Sequence, residues 1–397
     1  MRATLENKPR PSGAAISRIT RLPWLMTRDA IAGVVQPMLP NSYATPPDAL
    51  ESAIGWLRRT HDVTGRRGSS KGFSLLFGWY PPFPETTGYV IGTLLDYGRR
   101  MGDTTADARC IEMGRWEMEL QAPDGGIMEG LHDGRSRPSE AFNTGMVMHG
   151  WLDLYASTGD ADYLEAAERA GDFLRRVQDA DGAWRGRHSY HGLPHTYMSR
   201  VAWAQLRLAA ACGDEAHADS ARRNLDWVLS MQRDNGWFDA CIFKPDTLPN
   251  THAMAYTLRG LLESFALTEQ EQYLAAVQRT SEVLIRKLEV LGALPATFDA
   301  GWNPQANYVC LTGMVQLGGV WLRLFQTTGD ARYLNAGMKA VDLAAAHQQT
   351  GSWETVRGAL PGSFPIWGRY APLQFPNWAT KFLADSLMLR ADCRPSA

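Results

Sequence analysis

A unit of about 55 residues recurs along this chain, and the repeat limits the possible folds more than any other feature. The two clearest copies, residues 154–184 and 324–353, each carry a Gly-Asp pair, a helical stripe, and a stretch with Gly and Trp. Weaker copies occupy residues 97–127, 208–238 and 265–288. The Gly-Asp pair begins at residues 102, 159, 213 and 329, with Thr268-Glu269 in its place once, giving steps of 57, 54, 55 and 61 residues. A period this regular is typical of a repeat architecture.

Each unit predicts a pair of antiparallel helices. The first helix, as in residues 144–155, is apolar nearly all round and should be buried on every side. The glycine ends this helix, and the second helix, as in residues 161–177, has a one-sided apolar stripe. The apolar helices should begin near residues 86, 144, 196, 251, 311 and 378, and their amphipathic partners near residues 45, 104, 161, 216, 271 and 331.

Six inner and six outer helices in alternation predict an all-α fold, an (α/α)6 toroid or barrel with its long loops on one face. We expect one toroid domain over residues 41–397, preceded by an extended N-terminal segment over residues 1–40. An open helical solenoid is the alternative, although such arrays need polar capping repeats at their ends, and the sequence lacks them.

The composition excludes several classes of partner. The chain has 397 residues, 45% of them hydrophobic and 21% charged, with a formal net charge of −2, so no nucleic-acid partner is expected. No stretch approaches the roughly 18 apolar residues of a membrane span, and the N-terminus lacks the apolar run of a signal peptide. Five scattered cysteines fit a reducing compartment. We therefore expect a cytoplasmic protein, and the oligomeric state stays open.

The starts of the inner helices should share the long-loop face of the ring, where their free N–H groups suit polar or anionic ligands. All six starts have a Thr near the helix cap. Most add a further polar residue there, namely Glu85, Asn143, His195, Asn250, His252 and Asn377. One turn further along come Arg200, Tyr256, Arg259, Gln316 and Lys381.

Helix capping explains part of this pattern. Asn and Thr are ordinary N-cap residues, and Glu in a first turn complements the helix dipole. His, Arg and Lys do not serve that need, and charged groups are rare on buried helices unless they are paired. Their repeated position therefore predicts a ring of ionisable groups around one cavity.

The long loops add aromatic rings and hydrogen-bond donors that could bind a substrate or simply pack the loops together. The candidates are Tyr80, Tyr190, His191, Trp302, Trp367, Arg369 and Tyr370, with Tyr197 beside them on an inner-helix start. His188, His191 and His195 have the spacing H-x2-H-x3-H, but no HExxH motif or Cys partner accompanies them. We therefore predict no metal site and no cofactor.

Two resemblances to known families bear on function. The segments "QDADGAW" (178–184) and "QRDNGW" (232–237) resemble the turns of terpene cyclases, which are also α/α toroids, but the DxDD acid cluster of those enzymes is missing.

The second resemblance spans nearly the whole chain. It rests on "PETTGYV", "FNTGMV", "RVAWAQL", "NGWF", "THAMAYTLRGLLE", "CLTGMVQ", "GSFPIWGRY" and "PNWATKF", which resemble a bacterial toroid family associated with polysaccharide biosynthesis. More broadly the chain is similar to the six-hairpin glycosidase superfamily, including unsaturated glucuronyl hydrolases, and to toroidal polysaccharide lyases and uronate epimerases. The resemblance implies the toroid fold and a polysaccharide or oligosaccharide substrate, although the paired-Asp pattern of the glucuronyl hydrolases has no clear counterpart here.

One hypothesis is a glycoside hydrolase. Such an enzyme needs two carboxyl groups across the scissile bond, and Glu85 would be the acid because a partly apolar mouth raises its pKa. Asp239 and Asp299 are the best loop candidates for the second carboxylate.

The alternative enzyme is a lyase or C5-epimerase acting on uronate residues. A base must then remove a proton beside the carboxylate, and positive or amide groups must stabilise the enolate. His195, His252, Tyr197 or Tyr256 could be the base, and Arg200, Arg259, Asn143 and Asn250 could neutralise the charge. A non-catalytic glycan-binding protein is the remaining hypothesis.

Overall fold

The computed structural model describes residues 45–103 and 105–393, together with Met26. The extended segment expected over residues 1–40 therefore lies, apart from Met26, outside the described residues.

Within the described ranges the chain forms twelve α-helices. The outer helices are α1 (Ala49–Asp62), α3 (Thr105–Leu120), α5 (Ala161–Arg176), α7 (Glu215–Ser230), α9 (Glu271–Leu291) and α11 (Ala331–Ala345). The inner helices are α2 (Pro84–Met101), α4 (Ala141–Thr158), α6 (Ser199–Cys212), α8 (Thr251–Thr268), α10 (Leu311–Thr328) and α12 (Asn377–Asp392). A 3-10 turn over Thr196–Met198 leads into α6. The alternation of apolar and amphipathic helices is confirmed.

The inner helices form a closed ring. Each inner helix packs against the next one, and α12 packs against both α10 and α2. The first outer helix, α1, packs against the last inner helix, α12, so the two ends of the helical chain meet. The predicted (α/α)6 toroid is therefore confirmed, and an open solenoid is excluded.

The turns between inner and outer helices follow the repeat. Gly102, Gly159, Gly213 and Gly329 end their helices with φ between 66° and 80°, a left-handed conformation that glycine adopts without a steric cost. The aspartates after the last three of these glycines accept hydrogen bonds from the backbone of the next helix. In the degenerate copy Glu269 has the left-handed conformation, at φ 56°, and Gln270 caps α9. Glu269-Gln270 therefore takes the place of the Gly-Asp pair in this copy, and the predicted pair Thr268-Glu269 is wrong by one residue.

A glutamine after four of the outer helices joins that helix to the next outer helix. In each case the Nε2 amide donates to a backbone carbonyl at a distance of 2.8–2.9 Å. The pairs are Gln121 with Ala166, Gln178 with Ser220, Gln232 with Ala276, and Gln348 with Ala49. The last pair closes the outer layer between α11 and α1. The cyclase-like turns in the sequence are therefore structural links of the ring.

Short antiparallel strands, which the repeat pattern did not predict, organise the long-loop face. One group is a three-stranded sheet of β2 (Gly78–Trp79), β1 (Gly72–Ser74) and β7 (Gln374–Pro376). The others are two antiparallel pairs, β3 (Ile127–Met128) with β4 (Ser139–Glu140) and β5 (Val309–Cys310) with β6 (Ser363–Phe364). Strands β4, β5 and β7 each end directly before an inner helix. They therefore fix the positions of the helix starts.

The inner helices approach one another closely at glycines. A Cβ atom on Gly88 would lie 2.4 Å from the backbone oxygen of Met146, and one on Gly150 would lie 2.5 Å from the oxygen of Gly88. Helices α2 and α4 thus pack backbone against backbone. Among the described residues, none of the helices is long and apolar enough to cross a membrane.

Candidate active site

A cavity of about 1200 Å³ opens on the long-loop face, above the starts of the inner helices. Its charged lining consists of Lys71, Glu85, Glu129, Glu140, Lys244, Asp246 and Arg369. Its aromatic lining consists of Phe83, Phe142, Tyr190, Tyr197, Phe243, Tyr256, Tyr308, Tyr370 and Trp378, with His252, Asn143, Asn250, Gln305 and Asn307 as further polar groups. A cavity of this size, with aromatic walls and both charged and neutral polar groups, can bind an organic ligand of several rings.

Glu85 lies at the second position of α2, directly after Pro84. Its nearest hydrogen-bonding partner is the hydroxyl of Tyr89, at 3.5 Å. Burial, and then the neighbouring carboxyl group of Glu140, raise the pKa of Glu85 from 4.5 to about 8, although Lys71 opposes this rise. At pH 7 Glu85 is therefore mostly protonated and can donate a proton.

Glu140 is a second cavity carboxyl that the sequence reasoning missed. It is 3% exposed and caps α4, where its Oε2 atom accepts a hydrogen bond of 2.7 Å from the backbone N–H of Asn143. Its Oε1 atom has no hydrogen-bond partner among the described residues. Burial raises its pKa to about 7. The signal was present in the sequence, because Glu140 precedes the "AFNTGMV" helix start, but the comparison of helix starts began one residue later.

The two loop aspartates predicted as partners of Glu85 lie elsewhere. Asp239 forms a bidentate ion pair with Arg233, at 2.7 and 2.9 Å, and does not line the cavity. Asp299 closes its own loop by accepting hydrogen bonds from Gly301, Asn303 and Gln305. Both carboxylates are therefore held by local partners, and Glu140 takes the position beside Glu85.

His252 lines the cavity, and its Nδ1 atom contacts the side-chain amide of Gln316. Burial, together with the positive charge of Arg200, lowers the pKa of His252 to about 3, so this imidazole is neutral at pH 7. The hydroxyl of Tyr256 lies 3.3 Å from that of Tyr89, and burial raises the pKa of Tyr256 well above its usual value. Tyr256 therefore keeps its proton and acts as a donor.

His195 does not reach the cavity. Its ring stacks on Tyr197 with a centroid distance of 4.6 Å and an interplanar angle of 13°, and its Nε2 atom lies 2.9 Å from the carbonyl oxygen of Tyr190. Both tyrosines line the cavity, whereas His195 lies behind them. Its position suits a residue that orients the two tyrosines. Burial raises the pKa of Tyr197 well above its usual value, so Tyr197 is a donor as well.

Three predicted cations line a different cavity. Arg200, Arg259 and Lys381 border a space of about 190 Å³ that lies further along the ring axis, among the inner helices. They also border an adjoining space of about 50 Å³, where Gln316 is found. These cations cannot contact the same ligand as Glu85, because the side chains of Tyr89, Tyr256 and Phe382 pack between the two compartments.

The remaining predicted binding residues divide into two groups. Asn143, Tyr190, Asn250, Arg369 and Tyr370 line the main cavity, whereas Tyr80, His191, Trp302, Trp367 and Asn377 do not.

The second group includes residues with evident structural partners. Trp302 packs on Trp237 and donates to the carbonyl of Asn235, and Asn377 donates to Ser69, Ser70 and Thr86. Lys71 and Trp378 line the cavity but were not predicted. Lys71 lies outside the aligned helix starts, and Trp378 lies within one of them but is not one of its polar residues.

The histidines of the H-x2-H-x3-H segment have separate environments. His188 Nδ1 lies 2.9 Å from the carbonyl oxygen of Ser139, and His191 is exposed. In the part of the chain that the structure describes, no three His, Cys, Asp or Glu side chains come together as a metal-binding group.

Comparison with solved structures identifies the architecture. An unsaturated glucuronyl hydrolase from Bacillus sp. GL1 matches with a TM-score of 0.66 and 14% identity, over 86% of this chain and 95% of that chain. A cellobiose 2-epimerase from Bacillus thermoamylovorans B4167 matches with a TM-score of 0.69 and 12% identity, over 85% and 96%. The fold is that of the six-hairpin glycosidase-like toroids. Identities this low show the shared fold and nothing more.

The sequence comparisons point to another group with the same fold. The model of the squalene-hopene cyclase C-terminal domain matches residues 166–274. A probable squalene–hopene cyclase from Sinorhizobium fredii is 27% identical over 206 residues, which are 46% of this chain and 30% of the cyclase. The chain thus matches less than a third of that relative. The matched segment contains the turns at Gln178 and Gln232, which link the outer helices.

Proposed function

We propose that this toroid is a carbohydrate-active enzyme, and more specifically a glycoside hydrolase that acts on an oligosaccharide or polysaccharide. The observation that carries the proposal is a pair of carboxyl groups with raised pKa values beside one large cavity, the partly buried Glu85 and the buried Glu140. Hydrolysis of a glycosidic bond needs two such groups, of which one is protonated. The fold shared with a glucuronyl hydrolase and a cellobiose epimerase supports the choice of substrate class.

The environments of the two carboxyl groups assign their roles. Glu85 has the higher pKa and gives its proton to the glycosidic oxygen as the bond to the anomeric carbon breaks. Glu140 has the lower pKa and an oxygen without a hydrogen-bond partner. In its ionised form it either takes a proton from the attacking water or attacks the anomeric carbon itself. Because the groups interact, activity rises as the pair loses its first proton and falls as it loses the second.

The cavity walls suit a sugar. Aromatic rings such as Trp378 and Tyr370 offer flat apolar faces, and Asn143 and Asn250 lie at the helix starts beside them. The buried tyrosines keep their protons and can donate to sugar hydroxyl groups. Lys71, beside Glu85, adds a positive charge that would favour a uronate-containing substrate.

An epimerase is the second candidate, and His252 is the observation that favours it. Its imidazole is neutral, borders the cavity and is held by Gln316, as a proton-transferring base must be. The role predicted for Arg200 and Arg259 in stabilising an enolate does not fit their position in the other compartment. This difference leaves hydrolysis as the better-supported reaction.

A terpene cyclase is less well supported. The matched segment 166–274 carries the turns that link the outer helices, whereas Glu85 and Glu140 lie outside it. Asp246 is the acidic residue within that segment that lines the cavity, and it is exposed on a loop. A carboxyl group open to water is a weak acid for protonating an alkene.

The test is to incubate the protein with neutral and uronate-containing oligosaccharides. Reducing ends, ultraviolet absorbance and proton NMR spectra would be followed together. We expect reducing ends without absorbance, and a rate loss of about 10²- to 10⁴-fold in Glu85→Gln and Glu140→Gln. Asp239→Asn is the matched control, because it changes a carboxylate outside the cavity.

Three other outcomes would each contradict hydrolysis. Rising absorbance together with reducing ends would mean elimination. A new epimer without reducing ends would mean proton transfer and would make His252 the residue to substitute next. Binding of a glycan without any product would mean a non-catalytic glycan-binding protein.

A further inference from the structure

The second compartment lies on the ring axis, on the side of the Gly-Asp turns. Its lining comes from the middle and later turns of the inner helices, including Asp153 on α4, Arg207 on α6 and Asp385 on α12, and from Arg200 and Trp203 nearer the start of α6. Its volume of about 190 Å³ is large enough for several water molecules or a small ion. The proposed hydrolase site does not use it.

Most cations around this compartment have an acidic partner. Arg207 pairs with Asp153 at 2.6 Å, and Lys381 pairs with Asp385 at 2.5 Å. Arg259 contacts Glu263 at 2.9 Å. That carboxylate also holds an arginine on α10, so two guanidinium groups share one negative charge.

Arg200 is the exception. Its side chain is 3% exposed and borders both small spaces. Its Nε atom contacts the sulfur of Met146 at 3.4 Å, and the guanidinium group forms no ion pair and no further hydrogen bond with any described residue. Its central carbon lies 4.9 Å from the ring centroid of Tyr256 and 5.7 Å from that of Trp203. These aromatic faces support the cation but do not neutralise it.

A buried guanidinium group without an anion is costly. Taking a charge out of water is unfavourable unless an opposite charge compensates for it. Burial lowers the pKa of Arg200 below its usual value, and repulsion from Arg259 lowers it further, although Asp385 partly opposes this. Arg200 in turn lowers the pKa of Lys381. A bound anion would remove this repulsion and use the free donors of the guanidinium group.

We propose that the turn-side compartment is a binding site for a small oxyanion, held by Arg200 between Arg259 and Lys381. Inorganic phosphate has the required chemistry, because guanidinium groups bind phosphate oxygens in pairs. The compartment is smaller than the roughly 300–1000 Å³ of typical sites for organic ligands. A free ion therefore fits better than a phosphorylated sugar.

Isothermal titration calorimetry of the full chain with inorganic phosphate tests the proposal. We expect saturable binding to one site, weakened about 10- to 150-fold in Arg200→Met, because charge-assisted hydrogen bonds are lost. Arg200→Lys should bind more tightly than Arg200→Met, since it keeps the charge without the paired donors. Arg332→Met is the control, because it removes an exposed arginine beside a turn on the same face.

A second measurement uses the unmodified protein and does not depend on the folding of a variant. Crystals soaked in sodium selenate should show an anomalous peak beside Arg200. The proposal is wrong if neither selenate nor phosphate binds there, or if Arg200→Met, folded by circular dichroism, binds phosphate as tightly as the wild type. Binding of glucose 1-phosphate without binding of inorganic phosphate would also contradict a site for a small ion.

Discussion

Glu85→Gln tests the central electrostatic argument without knowledge of the substrate. Glutamine keeps the shape of the side chain but cannot titrate. In the folded protein the pKa of Glu85 is raised from 4.5 to about 8, chiefly by burial. Between these two pH values the native state keeps a proton that the unfolded chain releases. The free energy of unfolding should therefore fall as the pH rises from about 4.5 to about 8, and the contribution of Glu85 should be constant above that.

The size of this effect follows from the pKa values. At about 1.4 kcal/mol per pH unit, a rise from 4.5 to about 8 corresponds to a loss of at most roughly 4–5 kcal/mol. Glu140, with a pKa of about 7, contributes a loss of the same sign. The difference between wild type and Glu85→Gln isolates the first contribution. Relative to the wild type, the variant should gain on the order of 4 kcal/mol between pH 5 and pH 9.

Urea unfolding at pH 5 and pH 9, followed by tryptophan fluorescence, measures this gain. Glu165→Gln is the matched control, because Glu165 is an exposed glutamate on the outer helix α5. The control should show the same pH dependence as the wild type. If Glu85→Gln differs from the wild type by the same amount at both pH values, then Glu85 is ionised at pH 7. The assignment of Glu85 as a proton donor would then fail.

Three further predictions concern the fold and the second carboxyl group. Gly88→Ala should lower the free energy of unfolding by at least about 3 kcal/mol, because the new Cβ would lie 2.4 Å from a backbone oxygen of α4. Gly55→Ala on α1 meets nothing within 4 Å and should raise the free energy of unfolding by roughly 0.5–1 kcal/mol. Urea midpoints compare the two variants, and similar midpoints would refute the close packing of the helices. Gln348→Ala should lower the free energy of unfolding by about 1–3 kcal/mol, since two buried carbonyl groups lose their donor. An unchanged urea midpoint would argue against a role of Gln348 in ring closure. Glu140→Gln should abolish turnover while Asp239→Asn retains it. The reverse result would mean that Asp239, on its loop, is the second catalytic carboxylate.

The fold could be predicted from the sequence because the repeat acts at the level of local structure. Each Gly-Asp pair marks a helix end and the next cap, and the all-round apolar pattern separates inner from outer helices. Closure of the ring was harder to predict from the sequence. It depends on side chains such as Gln348, whose partner Ala49 lies almost 300 residues earlier in the chain. A pairing over that distance leaves no local pattern to read.

The candidate site could be predicted only in part, and the reasons are geometric. Glu85 and His252 lie at helix starts, where the repeat fixes their orientation toward the ring axis. Arg200 lies further along the ring axis, and one helical turn is about 5.4 Å. That distance is enough to place its guanidinium group in the turn-side compartment. Lys71 was missed because it directly precedes strand β1 of the long-loop sheet, and β1 pairs with β7 from the opposite end of the chain.

The opposing effects at Glu85 distinguish a helix cap from an acid. A carboxylate in the first turn of a helix is stabilised in its ionised form by about 0.3–1 kcal/mol, which lowers its pKa by less than one pH unit. Burial at this position has the opposite effect and is several times larger, since the pKa reaches about 8. A group that served only to complement the helix dipole would stay ionised in contact with water. In the other compartment Arg200 lies in the first turn of α6, where the helix dipole gives no support to a cation, and its guanidinium group forms no ion pair with any described residue. Burial thus keeps Glu85 neutral, as a proton donor needs to be, whereas Arg200 is a buried cation without an ion-pair partner among the described residues. A ligand would use the proton of the first group and compensate for the charge of the second.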